Sequence, residues 1–461
     1  MLQDVIMSCR PAFAAGASSE VRAQRSLRRT VMMQSGSVVR NVRTDASGVS
    51  ARVYKNGRCG FASAAEVSRE AVQKALKKAS DNAALLDRRE RGQKGALPAI
   101  ERGTRAPDPD FVDLPQKVYI DYLKELDGYI AKNHTKLTSR RLAVICDSME
   151  KQIITSDGYT AHTLAPRSYV YIFMTAEAKD GSSVELFVPV GTRGTFDRNF
   201  SDPRLLFKEA DALYEKLMRK CEGVYPEPGV KTCILGGTLS GMLAHEAVGH
   251  TVEADLVLTG SVAAHCLNKQ VASPLVSMVD FAHTAFGETA PLPVYVDDEG
   301  VKAQDAVLIE NGILTGYMVN RELGAHYGME PKGNARAFAF NDEPLVRMRN
   351  TAVLPGKSTL DEMIASVDDG YYLLDTMNGQ ADATGEFMFG VCMGYEIKNG
   401  KLGRAIRDTT VSGVAFEMLK TVDMVGDTVI WGSSGFCGKK QPMPVGLGGP
   451  ALRCRITMGG R

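Results

Sequence analysis

Residues 26–63, SLRRTVMMQSGSVVRNVRTDASGVSARVYKNGRCGFAS, alternate apolar and polar side chains over most of their length. Alternation with a period of two is typical of β-strands, because successive side chains point to opposite faces of a sheet. Ser-Gly and Asn-Gly pairs interrupt the alternation, and such pairs favour tight hairpin turns. The segment predicts consecutive antiparallel strands, and therefore a hairpin-rich sheet near the N-terminus.

The segments that follow add helices and a second hairpin. Residues 65–86 and 117–133 carry apolar residues at helical spacing, and the charged, Gly- and Pro-rich stretch 88–116 between them predicts a long loop. The runs SYVYIFMTAEA and SVELFVPVG predict an antiparallel pair. Ser201-Asp202-Pro203 then supplies an N-cap and a first-turn proline for a helix that ends near Cys221.

A break in the helical pattern divides the chain. The sequence YPEPG at 225–229 ends the third helix, since prolines remove backbone donors and restrict the residues before them. We predict an α+β protein with two domains. Residues 1–224 form a mixed α/β domain with an antiparallel sheet, and residues 225–461 form a mainly β domain that carries one helix of functional interest.

Composition narrows the class of function. Lysine and arginine total 55 against 54 acidic residues, so no basic surface for nucleic acid is expected. No apolar run is long enough to span a membrane, and Asp4 and Arg10 interrupt any signal-peptide core. The nine cysteines include no CxxC pair, which favours reduced thiols. We expect a cytoplasmic protein without a nucleic-acid or membrane partner.

The segment His245-Glu246-Ala247-Val248-Gly249-His250 contains the residue types of a metal-dependent hydrolase site. Two histidines can share one Zn²⁺, and a neighbouring glutamate can act on water. The histidines are five residues apart, and at about 100° per residue a regular α-helix would leave them roughly 140° apart. A π-type turn across 247–249 would bring them together, and Gly249 is expected to tolerate that distortion.

The alternative is that these are ordinary helix residues. The apolar neighbours Met242, Leu243 and Val248 argue against it, because they would bury a helix that carries two histidines and a carboxylate. Zinc in a catalytic site usually has a third protein ligand. Residue chemistry alone leaves several choices open, and these are Glu253, Asp255, His265, Cys266, Cys437 and Cys454.

Several ordered blocks of the sequence match a known family. LAHEAVGHTVEADL contains the histidine segment, and VDDEG at 296–300 and VLIENGILTGYM at 307–318 follow it. RMRNTAVLPGKST at 347–359, CGKKQPMPVGLGGPALR at 437–453 and TMGG at 457–460 complete the series. On these blocks the chain resembles the TldD branch of the TldD/PmbA metalloprotease family.

The resemblance implies a zinc ion held by His245, His250 and Cys437, with Glu246 as the base that activates water. It also implies peptide or unfolded-protein substrates and a dimer, either of this chain or with a PmbA/TldE-like partner. The sequence departs from the family pattern at Thr251 and Ala254, which replace common glycines, and in a segment after Cys437 that is one residue shorter. None of these departures removes an expected ligand.

Two other functions are compatible with the sequence. A non-catalytic protein could use the same metal site to hold a partner peptide or to regulate a partner. A zinc hydrolase could also act on an amide that is not a peptide. The first alternative cleaves nothing, whether its site holds a metal or is empty, and the second uses zinc to cleave a different kind of amide.

Overall fold

The computed structural model describes residues 2–9, 12–13, 16–89, 97–104 and 113–459. Its N-terminal part is built on a six-stranded antiparallel sheet with the order β3-β2-β1-β4-β5-β6. These strands are β1 (Ser18–Gln34), β2 (Ser37–Lys55), β3 (Arg58–Ala64), β4 (Leu137–Thr155), β5 (Thr160–Glu177) and β6 (Ser183–Arg193).

The turns of this sheet lie where the sequence predicts them. Ser35 and Gly36 between β1 and β2 have φ of 46° and 84°, and Asn56 and Gly57 between β2 and β3 have φ of 52° and 75°. Positive φ at both turn residues matches the twist of adjoining strands. The hairpin predicted from residues 26–63 is confirmed.

The helices of the N-terminal part cover one face of this sheet. They are α1 (Leu2–Met7), α2 (Arg69–Arg89), α3 (Gln116–Asn133), α4 (Phe196–Asn199) and α5 (Phe207–Cys221). Alternate residues of β1 point to that face: Val21 packs in the cluster that includes α2, and Val31 packs in the cluster that includes α3 and α5. The predicted helices are confirmed with shifted ends, whereas the predicted loop at 88–116 lies partly outside the described residues, at 90–96 and 105–112.

The C-terminal part is rich in short strands. Its helices are α6 (Gly237–Met242), α7 (Ala254–Leu258), α8 (Arg321–Tyr327), α9 (Leu360–Ala365) and α10 (Ala415–Lys420). Its strands are β7 (Gly229–Leu235), β8 (Met278–Phe281), β9 (Thr284–Ala285), β10 (Glu288–Thr289), β11 (Ala306–Glu310), β12 (Ile313–Leu314), β13 (Ala335–Arg336), β14 (Leu345–Val346), β15 (Asn350–Val353), β16 (Asp369–Ala381), β17 (Glu386–Lys398), β18 (Lys401–Ile406), β19 (Thr409–Val414), β20 (Met424–Val425), β21 (Ile430–Gly432), β22 (Phe436–Cys437), β23 (Met443–Pro444), β24 (Gly446–Gly449) and β25 (Leu452–Met458).

Two sheets enclose the helix that begins with α6. One has the order β16-β7-β25-β19-β17-β18, and a further pairing of β16 with β17 closes the first five of these strands into a ring. The other has the order β12-β11-β8-β15-β24-β21. Leu239, Leu243, Ala247 and Val248 of the helical segment lie in a single apolar cluster with residues of both sheets. The α+β fold class is therefore confirmed, and the helix of interest lies in the core.

Two further expectations concern single elements. Asn311 and Gly312, with φ of 47° and 83°, join β11 to β12 as the predicted hairpin turn. Among the helices that the structure describes, none combines the length and the apolar character needed to cross a bilayer. The division at residue 224 stays a prediction.

A buried ionic cluster joins the second face of the N-terminal sheet to the loop at 296–300. The Lys151 ammonium donates to the Asp298 carboxylate at 2.7 Å, and the Arg22 guanidinium lies 3.6 Å from the same group. The Arg52 guanidinium donates to Glu299 at 2.5 Å. Burial lowers the pKa of Lys151 to about 8, and Asp298 opposes that shift. The cluster holds the two parts of the chain together by charges that water does not screen.

Removal of the Asp298 carboxylate tests this interface. Asp298→Ala leaves Lys151 and Arg22 as buried cations without that counter-charge, so we expect a loss of about 3–5 kcal/mol in the free energy of unfolding. Urea denaturation measures the loss. Lys302→Ala is the control, because it breaks an exposed ion pair with Glu101 and should cost about 0–1 kcal/mol. Equal effects of the two substitutions would contradict a stabilising role for the buried cluster.

Candidate metal centre

The helix of the motif changes its pitch at the histidines. After α6 the backbone forms a π-helix at Leu243–Gly249 and then a 3₁₀ turn at His250–Val252. The backbone N–H of His250 donates to the carbonyl of His245, five residues earlier. The predicted π-type distortion is confirmed. It brings the two imidazole rings to a centroid distance of 5.2 Å.

The role of Gly249 differs from the expectation. Its backbone is right-handed, with φ of −53° and ψ of −47°, so the position does not need the conformational freedom of glycine. A Cβ at this position would overlap the sulfur of Met348 and lie 3.1 Å from the Ala244 carbonyl oxygen. Glycine is needed here because the helix packs closely against a buried side chain.

Three side chains of the predicted site converge. One ligand atom from each of His245, His250 and Cys437 lies within 4.8 Å of the others. The Cys437 sulfur is 3.2 Å from Nε2 of His250. Cys437 belongs to β22, which pairs with β23, so a contact across almost two hundred residues completes the cluster. The structure therefore brings together the three residues that the family resemblance implies.

His245 fits the role of a metal ligand. The residue is 1% exposed, and among the described residues neither of its ring nitrogens has a hydrogen-bond partner of normal geometry. A buried polar atom without a partner is costly, and a bound cation would remove the cost. A donor set of two imidazoles and one thiolate suits zinc.

Without a metal, Cys437 and His250 stabilise each other as a pair of opposite charges. Burial by itself raises the pKa of the Cys437 thiol. The nearby rings of His245 and His250 have the larger, opposite effect and lower this pKa to about 4. Burial lowers the pKa of His250, whereas the Glu253 carboxylate and the Cys437 sulfur raise it, to about 10. These shifts describe a Cys437 thiolate, the form that binds metal ions, beside a protonated His250, which must lose its proton when a metal binds.

Glu246 lies beside the cluster and remains accessible. Its carboxylate oxygens are 4.0 Å from Nε2 of His245 and 3.6 Å from Nε2 of His250. The side chain is 22% exposed. A carboxylate in this position can accept a proton from a water molecule near the three donors.

Glu253 supports His250 from behind. Its carboxylate accepts a hydrogen bond from Nδ1 of His250 at 2.8 Å, which leaves Nε2 directed to Cys437. Burial raises the pKa of Glu253, but the His250 ring and Lys439 lower it more strongly. The Lys439 ammonium is 3.1 Å from this carboxylate. Such a partner fixes the orientation of a ligating histidine and the nitrogen that it presents.

The other residues considered as a third ligand have different surroundings. Asp255 accepts from Lys439 at 2.9 Å, and the Cys266 thiol donates to the Val262 carbonyl at 3.2 Å. His265 lies in a 3₁₀ turn at Val262–His265. Cys454 is buried in β25, where burial raises its pKa to about 12. Among the described residues, none of these four forms a cluster of possible metal ligands with the two histidines.

Residues that sequence reasoning missed hold the Cys437 segment in place. The fully buried Arg347 guanidinium donates to the carbonyls of Cys437, Lys439 and Gln441 at 2.7–3.0 Å. From the N-terminal sheet, Tyr171 donates to the Ser434 carbonyl at 3.1 Å. Arg347 lies in the RMRN block noted above, but its sequence contains no sign of which carbonyls it would meet.

Three domain models of one protein family match successive parts of the chain. Residues 228–460 match the PmbA/TldA metallopeptidase C-terminal domain. Residues 19–83 match domain 1 of the same family, and residues 107–220 match its central domain. The chain belongs to the PmbA/TldA metallopeptidase family. The resemblance drawn from the sequence blocks is confirmed.

Relatives of this PmbA/TldA metallopeptidase match the chain over different lengths. A protein named metalloprotease from Methanothermobacter thermautotrophicus is 32% identical over 456 residues, which cover 96% of this chain and 95% of the relative. A zinc metalloprotease TldD homolog from Saccharolobus solfataricus is 34% identical over 250 residues, 54% of this chain and 56% of the relative. The crystal structure of TldE from Thermococcus kodakarensis has the same fold, with a TM-score of 0.77 at 16% identity and complete coverage of both chains.

Gly249→Ala tests the close packing of the π-helix. The added Cβ overlaps Met348, so we expect a loss of about 1–3 kcal/mol in the free energy of unfolding. In a Met348→Ala background the overlap is removed, and Gly249→Ala should cost at least about 1 kcal/mol less than in the unaltered chain. A double-mutant cycle followed by urea denaturation measures this coupling. Additive costs would show that Gly249 is required for a reason other than the Met348 contact.

Proposed function

We propose that this chain is a zinc-dependent peptidase in which His245, His250 and Cys437 hold the metal. The observation that carries the proposal is the buried His245 ring, which lies among two further donors and has no other hydrogen-bond partner of normal geometry among the described residues. A thiolate and two imidazoles exclude the hard cations Mg²⁺ and Ca²⁺, which prefer oxygen ligands. The name of the Saccharolobus solfataricus relative points to the same ion.

Different residues of the chain would then have different roles in hydrolysis. Zinc in such a site acts as a Lewis acid toward a carbonyl and lowers the pKa of water. Glu246 takes the proton of the attacking water and delivers it to the leaving amine. Glu253 accepts a hydrogen bond from Nδ1 of His250, so Nε2 of that ring is the nitrogen left to hold the metal.

We further propose peptides or unfolded segments as substrates, and a dimer as the working form. The substrate class follows from the family to which the chain belongs. The partner is a second copy of this chain or a TldE-like protein, since the chain shares its fold with TldE and its relatives include TldD homologs. All nine cysteines are free, which supports a reducing compartment such as the cytoplasm.

The ligand set can be tested by metal content. Cys437→Ala removes the thiolate and should reduce bound zinc from about one per chain to well below half, because two protein ligands hold zinc weakly. Cys454→Ala is the matched control, since it also truncates a buried cysteine of the C-terminal part but leaves the cluster intact. Atomic absorption of both purified proteins measures the difference. Full zinc in Cys437→Ala would contradict the proposed ligand.

The catalytic role of Glu246 needs a separate test. Glu246→Gln keeps a side chain of the same shape but removes the base, so we expect retained zinc and a loss of peptide hydrolysis of about 10²–10⁴-fold. Digestion of a mixed peptide library, read by mass spectrometry, measures the loss. Glu417→Gln, on the surface at α10, should be fully active. Equal hydrolysis by the Glu246 variant, or none by the unaltered zinc-loaded chain, would contradict the peptidase mechanism and favour a non-catalytic binding protein.

A further inference from the structure

A cavity of about 460 Å³ lies between the N-terminal and C-terminal parts of the chain. Its volume is within the roughly 300–1,000 Å³ that is typical of ligand pockets. Apolar and aromatic side chains from both parts line it, among them Tyr171, Phe187, Leu213, Met242, Trp431 and Leu447.

The open face of the motif helix joins this cavity to the candidate metal centre. Within 237–250, which the structure describes in full, Thr238, Met242, Glu246 and His250 are the four residues that are not buried. They recur every four residues and therefore lie along one side of the helix. Thr238 and Met242 line the cavity, whereas Glu246 and His250 lie at the cluster of ligands. A single open strip thus connects the two sites.

The segment that leads to Cys437 runs along the same path. Residues 431–435 line the cavity, and Cys437 lies two residues further along the chain. The hydroxyls of Tyr169 and Tyr171 donate to the carbonyls of Ser433 and Ser434 at 2.8 Å and 3.1 Å. These bonds hold the segment against the N-terminal sheet. Both walls of the cavity therefore end at residues of the proposed active site.

The charged residues of the cavity do not suit an ionic ligand. Lys216 and Asp375 lie 3.7 Å apart across the junction and offset each other's charge. Glu209 lies on the exposed side of α5. Tyr171, Phe187 and Leu447 offer apolar surfaces, which bind aliphatic or aromatic groups by burial and by ring contacts.

We propose that this cavity is a specificity pocket that takes a large apolar side chain, such as phenylalanine or leucine, of a bound peptide substrate. The proposal rests on the proposed peptidase function, because the peptide is the substrate whose backbone would reach Glu246. Met242 and Phe187, which line the cavity, are then specificity-determining residues. A peptide without an apolar side chain at the corresponding position leaves the pocket unfilled and binds more weakly.

Isothermal titration calorimetry allows a binding test that does not depend on catalysis. It measures the affinity of the protein for each peptide directly. The zinc-loaded Glu246→Gln protein is titrated with acetyl-Ala-Ala-Phe-Ala-Ala-amide and with the matched peptide that has Asp in place of Phe. We expect the Phe peptide to bind at least tenfold more tightly than the Asp peptide. Equal affinities would overturn the proposal.

A substitution that fills the cavity tests whether the peptide binds there. Gly432 lines the cavity, and a Cβ there would meet only the Leu447 carbonyl oxygen, at 4.0 Å, so Gly432→Leu places a side chain in the pocket without a backbone clash. In the Glu246→Gln background it should weaken the Phe peptide at least tenfold and leave the Asp peptide unchanged. Gly128→Leu on α3 is the matched control, because a Cβ there meets no atom within 4 Å and lies outside the cavity.

The two proposals can fail separately. If Gly432→Leu has a native circular dichroism spectrum and binds the Phe peptide as tightly as before, the proposed specificity pocket is wrong. Hydrolysis of peptides by the unaltered chain would not be affected by that result. The opposite result is also possible: the chain binds the Phe peptide selectively, Gly432→Leu abolishes that binding, and the unaltered chain cleaves no peptide. This result would support the pocket and contradict the peptidase mechanism.

Discussion

The hydrogen bond from the His250 N–H to the His245 carbonyl is the interaction on which the candidate metal centre depends. It replaces the four-residue spacing of an α-helix by a five-residue spacing and thereby places both rings on one side. A π-helical turn is less stable than an α-helical one in isolation, so its surroundings must stabilise it. Leu243, Ala247 and Val248 do so by packing in the apolar cluster between the two C-terminal sheets.

The third member of the cluster depends on a different set of contacts. Cys437 lies on a two-residue strand that could not hold its position alone, since such a strand makes few backbone hydrogen bonds. Arg347 binds three carbonyls of this segment, and Tyr171 binds a fourth from the N-terminal sheet. Phe436 lies under the guanidinium of Arg167, which Asp147 holds in turn. The N-terminal part thus contributes to the geometry of a site whose proposed ligands all belong to the C-terminal part.

Buried ion pairs recur at places where two segments of the chain have to meet in one particular arrangement. Arg349 and Asp280 are fully buried and bonded at 2.8 Å, and Lys151 and Asp298 join the two parts of the chain. Desolvation makes such pairs weak sources of net stability, but a displaced partner leaves an uncompensated charge in a low dielectric. These charges therefore favour the arrangement in which the loop at 296–300 docks on the N-terminal sheet.

The sequence by itself determined the local features of this protein. Period-two alternation predicted the N-terminal strands, turn pairs such as Asn56-Gly57 predicted their ends, and the five-residue spacing of His245 and His250 predicted a π-type turn, because each depends on neighbours along the chain. Residue chemistry left Cys437 as one of several third ligands, and only the family resemblance selected it. The tertiary structure decided what depends on distant contacts: that the Cys437 sulfur meets His250, that Glu253 lies behind that ring, and that Gly249 is required for space and not for backbone freedom. The position of a residue in the sequence does not reveal which side chains approach it, since that follows from how sheets and helices pack.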